Sequence, residues 1–159
     1  MSGELSPPGA CTSSAEKMQK LKALGADEVL NVKDTDFSKW AVEKYGKPQR
    51  RSYDGGVDVV INFTGGDTWH PSLRCLKRGG KLLVCGATAG FDPKEDLRYI
   101  WSFELKVIGS NSFYDDDLQA LMKLIAAGEM RPVIDKVLPL GEAREGLRLI
   151  QDREVIGKV

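Results

Sequence analysis

Apolar residues along the chain follow two alternating patterns, one with the period of a strand and one with that of a helix. The strongest strand pattern is Val57 to Phe63, whose polar members are Asp58 and Asn62. A nearly continuous apolar run of this kind is typical of a strand covered on both faces. The strongest helical pattern runs from about Asp116 to Ala127, with apolar residues at i, i+3, i+4 and i+7. Such alternation predicts an α/β fold with crossover connections.

Capping residues set the predicted ends of the first two helices. Ser13 is placed to cap the first helix by accepting from the amide of Glu16, whose carboxylate reaches back, and Gly25 follows the last turn. Asp36 is placed to cap the second helix, and Gly46 ends it. Both helices are therefore predicted to be short.

Turn residues separate the other predicted elements. The remaining strands are predicted at Glu28 to Asn31, Lys81 to Cys85, Leu105 to Ile108 and Val133 to Leu138. The remaining helices are predicted from about Asp67 to Lys77, around Pro93 to Trp101, and after Pro139. Between them lie a basic loop at Lys47 to Gly56, turns at Thr64 to Gly66 and Arg78 to Gly80, and a Gly-rich loop at Gly86 to Gly90.

Length and charge narrow the class of protein. With 159 residues the chain suits one domain, which we place at residues 11–159, after a polar tail at residues 1–10. Lysine and arginine together number 23, as do aspartate and glutamate, so no bulk field draws the chain to nucleic acid or to anionic membrane. Because no signal-like start and no run of roughly 18 apolar residues occurs, we expect a cytoplasmic protein with no membrane partner.

Potential metal ligands are few and scattered. The cysteines are Cys11, Cys75 and Cys85, and the one histidine is His70. They form neither a C-x-x-C pair nor a disulfide framework, and a zinc site needs three or four converging ligands. We expect no zinc bound by this chain, and we expect His70 to be a surface or packing residue.

Several runs, taken together in their order and spacing, carry a family resemblance. They are Lys20 to Asp27 (KLKALGAD), Val57 to Val60, Leu76 to Leu83 (LKRGGKLL), Cys85 to Gly90 (CGATAG), Leu105 to Ser110, Arg131 to Asp135, Pro139-Leu140 with Glu142-Ala143, and Gly157 to Val159. From roughly Cys11 to Val159 the chain resembles the cofactor-binding domain of medium-chain dehydrogenases/reductases, the group that includes zinc-type alcohol dehydrogenases and quinone reductases. The resemblance implies a Rossmann fold with a doubly wound, mostly parallel sheet.

Two parts of the family pattern are missing from these residues. The catalytic domain that precedes the cofactor domain in the family is not represented, and no G-x-G-x-x-G occurs, so the fold is expected to be truncated, without the first strand and its Gly-rich turn. The chain joins the pattern at Ala10 to Ser14, which resembles the end of the second strand. Since the first strand is central, a gap is expected before Val57 to Phe63. Either the flanking edges pair directly, or another chain fills the gap, or the fold is marginal.

The resemblance also implies where the cofactor binds. Ser13, Ser14 and Lys17 correspond to the ribose-binding position, where serines with a lysine suit the 2′-phosphate of NADP; NAD enzymes have an acidic residue there. Helix capping beside an exposed lysine is the alternative interpretation. The residues expected to line the nicotinamide side are Thr64, Gly65, Gly86, Ala87, Thr88, Ser110 and Asn111. They follow strand ends, where open α/β sheets bind ligands, although glycines there also serve as ordinary turn residues.

Two further segments remain open to more than one interpretation. The basic run Lys47 to Arg51 fits a solvated loop better than a phosphate or RNA site. An apolar cluster at Tyr99 to Phe103 fits either a buried core face or an interface, and the family resemblance implies a homo-oligomer through the sheet edge near residues 97–110.

The sequence thus favours a fragment of an NAD(P)H-dependent oxidoreductase that is inactive alone. The whole enzyme would deliver a hydride to a carbonyl, a quinone or an activated alkene, and no catalytic residue is identified in this chain. The alternative is a non-catalytic dimerising module that binds no nucleotide. A Rossmann-like methyltransferase is a third interpretation, against which the run from Arg131 to Leu140 argues.

Overall fold

The computed structural model describes residues 7–159, which form two compact units that meet in the sequence between Asn111 and Ser112. Most of the predicted tail therefore lies outside the described residues. The first strand begins at Gly9, two residues before the domain start expected from the sequence.

The first unit alternates strands and helices along its whole length. Its elements are β1 (Gly9–Thr12), α1 (Ala15–Ala23), β2 (Glu28–Asn31), α2 (Phe37–Tyr45), β3 (Val57–Asn62), α3 (Trp69–Arg74), β4 (Leu76–Val84), α4 (Leu97–Ser102) and β5 (Lys106–Gly109). Every strand pair is parallel. The predicted α/β class with crossover helices is therefore confirmed.

The strands form two separate sheets. One contains β1 and β2, and the other has the order β3-β4-β5. Among residues 7–159, β1 pairs only with β2, and β3 pairs only with β4 on one side. The direct pairing of the two flanking edges, one of the three outcomes considered from the sequence, does not occur in the described part of the chain.

The core of the first unit lies on one face of the three-stranded sheet. Its buried residues are Leu73, Leu76, Leu82, Phe103 and Leu105. Val60 packs against this cluster from β3, whereas Val59 and Ile61 point the other way and are 38% and 64% exposed. The expectation that β3 is covered on both faces is therefore wrong for the described structure. Hydrophobicity alone indicated burial, but no described element buries this second face.

Two predicted boundaries in the first unit are also wrong. The cap of α1 is Ser14 and not Ser13: the Ser14 hydroxyl accepts from the amide of Lys17 at 3.4 Å. The helix predicted to reach Lys77 ends at Arg74, and β4 begins at Leu76 because that residue pairs with Val57 across the sheet. By contrast, the predicted ends at Gly25 and Gly46 and the Asp36 cap of α2 are confirmed.

The second unit contains two helices, α5 (Asp115–Ala126) and α6 (Ala143–Gln151), with a short 3-10 turn at Leu140–Glu142 before α6. The predicted strand at Val133 to Leu138 is reduced to one parallel bridge between Ile134 and Lys158. Within the described residues, every helix is too short or too polar to cross a membrane.

Candidate functional site

The carboxyl ends of β3, β4 and β5 meet at one edge of their sheet. Asn62 is paired with Val84, and Val84 with Gly109, so the three strands end in register. The segments that follow these strands contain the residues expected on the nicotinamide side: Thr64, Gly65, Gly86, Ala87, Thr88, Ser110 and Asn111. The structure therefore brings this predicted group together, at the edge where parallel sheets bind ligands.

A buried asparagine organises the turn after β3. The Asn62 side chain is 5% exposed, and its Oδ1 accepts from the amides of Thr64 and Gly65, each at 2.9 Å. Its Nδ2 donates to the hydroxyls of Thr68 and Ser72, each at 3.0 Å. The sequence predicts Asn62 only as a polar member of a strand. Its signal was a single amide side chain next to the turn, in an otherwise apolar run.

The loops after β3 and β4 are joined by backbone hydrogen bonds. The amide of Gly66 donates to the carbonyl of Gly90 at 2.9 Å, and the amide of Ala89 donates to the carbonyl of Thr64 at 2.7 Å. Gly65 has a φ of +67°, and a Cβ on it would run into the carbonyl oxygen of Gly90. A Cβ on Gly86 would lie 2.8 Å from the carbonyl oxygen of Phe63. The close contact between these segments therefore explains why neither position has a side chain, and no bound ligand is needed for that explanation.

This arrangement limits what the site offers to a cofactor. The amides of Thr64, Gly65 and Gly66 all have acceptors inside the chain, so the turn after β3 has no spare backbone donor at these positions. Polar groups at this edge come instead from side chains: Thr64 is half-buried, and Thr88, Ser110 and Asn111 are exposed. Such groups suit the amide and ribose of a nicotinamide half better than they suit a pyrophosphate.

The predicted ribose-binding residues lie at the end of the other sheet. Ser13 and Ser14 follow β1 directly, and Lys17 lies in the first turn of α1. Ser14 is used as the helix cap, so the capping interpretation holds for that serine. The predicted cofactor residues thus form two groups, one on each sheet.

His70 lies beside the loop that follows β4. It is half-exposed, its Nδ1 lies 3.6 Å from Glu95 Oε2, and its Nε2 lies 3.0 Å from a guanidinium nitrogen of Arg74. A cavity of about 460 Å³ opens next to it, lined by Gly66, Asp67, His70, Ala89, Gly90, Asp92, Pro93 and Lys94. Gly66, Ala89 and Gly90 belong to the same two loops as the residues predicted to face the cofactor.

The cysteines are dispersed, and their surroundings differ. Burial raises the pKa of the Cys75 thiol to about 12, and burial also raises the pKa of Cys11. Cys85 is exposed at the end of β4. In the part of the chain that the structure describes, no three His, Cys, Asp or Glu side chains form a group able to hold a metal ion. These residues do not fit a zinc site.

Sequence comparison agrees with the fold. A family model of the zinc-binding dehydrogenases matches residues 24–159. The chain therefore belongs to the zinc-binding dehydrogenase family, and the medium-chain dehydrogenase/reductase resemblance is confirmed.

Curated relatives include reductases that are much longer than this chain. A crotonyl-CoA reductase of Streptomyces avermitilis is 25% identical over 143 residues, which cover 84% of this chain and 32% of that protein. An acryloyl-coenzyme A reductase of Sulfurisphaera tokodaii is 29% identical over 154 residues, which cover 89% of this chain and 45% of that protein. The chain therefore spans less than half the length of these relatives.

Solved structures show the same partial coverage. An NAD-dependent alcohol dehydrogenase is 29% identical with a TM-score of 0.79, and the match covers 94% of this chain and 41% of that one. The 2-octenoyl-CoA carboxylase reductase CinF, solved with NADP and 2-octenoyl-CoA, is 31% identical with a TM-score of 0.78, over 92% of this chain and 35% of that one. The fold is thus that of part of a Rossmann-containing oxidoreductase.

Proposed function

We propose that this chain supplies part of the NADP(H)-binding domain of an oxidoreductase that reduces an alkene activated by a carbonyl group. The observation that supports this most is the edge formed by β3, β4 and β5, where two hydrogen-bonded loops carry Thr64 and Thr88 and Ser110 follows the next strand. The relatives named for crotonyl-CoA and acryloyl-CoA favour an activated alkene over an alcohol or a quinone. The bound cofactor would supply the hydride, while these residues would orient its nicotinamide ring.

The choice of NADP over NAD follows from the end of β1. Ser13 and Ser14 stand where an acidic side chain would bind an unphosphorylated ribose, and the ammonium group of Lys17 lies one turn along the helix. Hydroxyl and ammonium donors form charge-assisted hydrogen bonds with a phosphate, whereas a carboxylate would repel it. The NADP bound to CinF agrees with this choice.

The cofactor preference is tested by amide-resolved NMR titration of the chain with NADPH and with NADH. We expect NADPH to shift the amides of Ser13, Thr64 and Thr88 at lower concentration than NADH does. Lys17→Gln should reduce this preference by about tenfold, the size of one charge-assisted hydrogen bond, whereas Lys22→Gln, a matched loss of charge on the same helix, should leave it unchanged. An equal response to both nucleotides in the wild type would refute the NADP preference.

We also propose that the 159 residues do not catalyse reduction by themselves. No described side chain at the sheet edge is identified as a proton donor to the substrate, and the Gly-rich pyrophosphate turn of the family is absent from the sequence. The chain incubated with NADPH and crotonyl-CoA should therefore show no loss of NADPH absorbance above the rate without protein. Turnover that scales with protein concentration would contradict this proposal.

The three free cysteines suit a reducing cytoplasm, where we place the protein.

A non-catalytic dimerising module is the second candidate. In the described residues β5 has no strand on its outer side, Val107 and Ile108 are exposed, and Trp101 is 71% exposed. An open edge with apolar side chains favours pairing with another chain. Light scattering of the wild type should then show a dimer that Ile108→Lys dissociates and Val137→Lys, at a more exposed apolar position in the second unit, does not. A monomeric wild type would eliminate this candidate.

A further inference from the structure

A second cavity lies at the opposite end of the three-stranded sheet from the candidate cofactor site. It has a volume of about 900 Å³ and is bounded by α2, the loop at 47–51, the end of α3, and α4. The loop precedes β3, and Arg74 precedes β4, so the cavity lies at the amino ends of strands whose carboxyl ends carry Thr64 and Gly86. With about 3.3 Å per residue, the six-residue strand β3 separates the two sites by roughly 20 Å.

The groove is strongly cationic, although the chain as a whole is neutral. The charged residues that line it are Lys39, Glu43, Lys47, Arg50, Arg51 and Arg74. Its formal charge is therefore +4, from five cations and one carboxylate, whereas basic and acidic residues balance at 23 each in the full sequence. The excess is thus a local feature of this groove.

Most of these cations form no ion pair with a described residue, although Asp36 interacts electrostatically with Lys39. None of the ion pairs formed within residues 7–159 involves Lys39, Lys47, Arg50 or Arg51. These cations line one groove, and a bound anion would offset their mutual repulsion.

The fold holds the cationic loop in place. The amide of Gly56 donates to the carbonyl of Gly46 at 2.9 Å, which closes the base of the loop, and Pro48 within it is buried. A side chain on Gly55 would run into the carbonyl of Lys47, so the two ends of the loop lie in direct contact. The segment was expected to be a solvated loop; its charged side chains are indeed exposed, but its backbone is anchored.

Two of the arginines lie over aromatic rings. The guanidinium of Arg50 is 5.8 Å from the centre of the Phe103 ring, and that of Arg74 is 5.7 Å from the centre of the Tyr99 ring. The two rings stack on each other with centres 4.5 Å apart. Because these cation–π contacts restrain the guanidinium groups, less side-chain entropy is lost when the arginines bind a ligand.

We propose that this groove binds an anion that carries at least two phosphoryl groups. The guanidinium groups of Arg50, Arg51 and Arg74 can pair with phosphate oxygens, that of Arg74 through the nitrogens that do not contact His70. A ligand with several negative charges is needed to offset a charge of +4. A pyrophosphate group provides this chemistry, either as the free anion or within a nucleotide. The site is independent of the proposed oxidoreductase function and lies away from the residues that serve it.

The test is an NMR titration of the full chain with sodium pyrophosphate, ADP and adenosine. We expect millimolar or lower pyrophosphate to shift the amides of Lys39, Arg50 and Arg51, and adenosine to shift none of them. Equal responses to pyrophosphate and ADP would identify the phosphoryl groups as the whole ligand, whereas much tighter ADP binding would identify a nucleotide. Shifts confined to Thr64 and Thr88 would instead belong to the cofactor site and would overturn the groove proposal.

Two double variants distinguish a specific anion-binding site from nonspecific electrostatic attraction to the protein. Arg50→Gln with Arg51→Gln should weaken pyrophosphate binding at least about tenfold, because each lost charge-assisted hydrogen bond is a substantial part of the affinity. Arg131→Gln with Arg144→Gln removes the same charge from exposed positions in the second unit and should change the affinity less than about twofold. Equal weakening by both pairs, no shift in the wild type, or tighter binding of an RNA oligomer or an acidic peptide than of pyrophosphate would each overturn the proposal. All four positions are exposed, and unchanged amide dispersion verifies folding.

Discussion

The most informative perturbation of the candidate cofactor site is Asn62→Ala. The asparagine Oδ1 is the acceptor for the amides of Thr64 and Gly65, and the variant leaves both without an acceptor. The hydroxyls of Thr68 and Ser72, which accept from Nδ2, keep the bonds that they donate to the carbonyls of Gly65 and Thr68. The energetic cost therefore falls mainly on the two amides.

The size of this free-energy cost depends on how far the two amides are buried. A buried polar group without a partner costs about 1–3 kcal/mol. Gly65 is buried, and Thr64 is half-buried and can partly recover its hydrogen bond from water. The sum is about 3 kcal/mol, which corresponds to more than about a hundredfold in a local opening equilibrium. The turn that carries Thr64 and Gly65 should therefore open far more often.

Native-state hydrogen exchange measures this opening residue by residue, which suits a chain of two units that need not unfold together. In Asn62→Ala the amides of Thr64 and Gly65 should exchange about a hundredfold faster than in the wild type. Asn111→Ala is the matched control, since Asn111 is an exposed asparagine at the end of the same sheet, and it should change neither rate. If both amides exchange within about threefold of the wild-type rates, the Asn62 side chain does not hold this turn closed.

Other predictions concern single side chains. Gly65→Ala should destabilise the first unit by several kcal/mol more than Gly25→Ala in urea denaturation, because both have positive φ but only Gly65 lies against another backbone; equal effects would contradict the loop contact. Ser14→Ala should destabilise α1 by about 1 kcal/mol, and Ser13→Ala should not, as helix-resolved hydrogen exchange can measure. Cys75, whose pKa burial raises from 9.0 to about 12, should resist maleimide near neutral pH. As the pH rises, the Cys75 thiol ionises in the unfolded chain before it ionises in the folded chain. The free energy of unfolding should therefore be unaffected by this thiol below pH 9 and should decrease between pH 9 and 12. Cys75→Ser should abolish that decrease.

Local features of the fold were predictable from the sequence. Gly25 and Gly46 end their helices, and Asp36 caps α2, because these roles depend on residues only a few positions away. The extension of β4 back to Leu76 was missed, since it depends on pairing with Val57 in a different part of the chain. The residues Arg78 to Gly80 are typical of a turn, so the sequence predicts that the strand begins only after them.

The site was predictable only in part. Strand ends followed by glycines located the edge that carries Gly65 and Gly86, because parallel strands place their carboxyl ends together. The role of Asn62 was not predictable, since it requires Thr68 and Ser72 to lie beneath the strand end. The basic groove escaped prediction for a similar reason: Arg74 lies far along the chain from the loop at 47–51 and meets it only in the folded unit.

We propose that the loops after β3 and β4 hold the nicotinamide half of the cofactor. The most direct measurement is an intermolecular nuclear Overhauser experiment between the nicotinamide ring protons of NADPH and the methyl groups of Thr64, Ala87 and Thr88. We expect cross-peaks from the ring to at least one of these methyl groups. Binding of NADPH with no such cross-peak, and with shifts only at Arg50 and Arg51 in the basic groove, would contradict it.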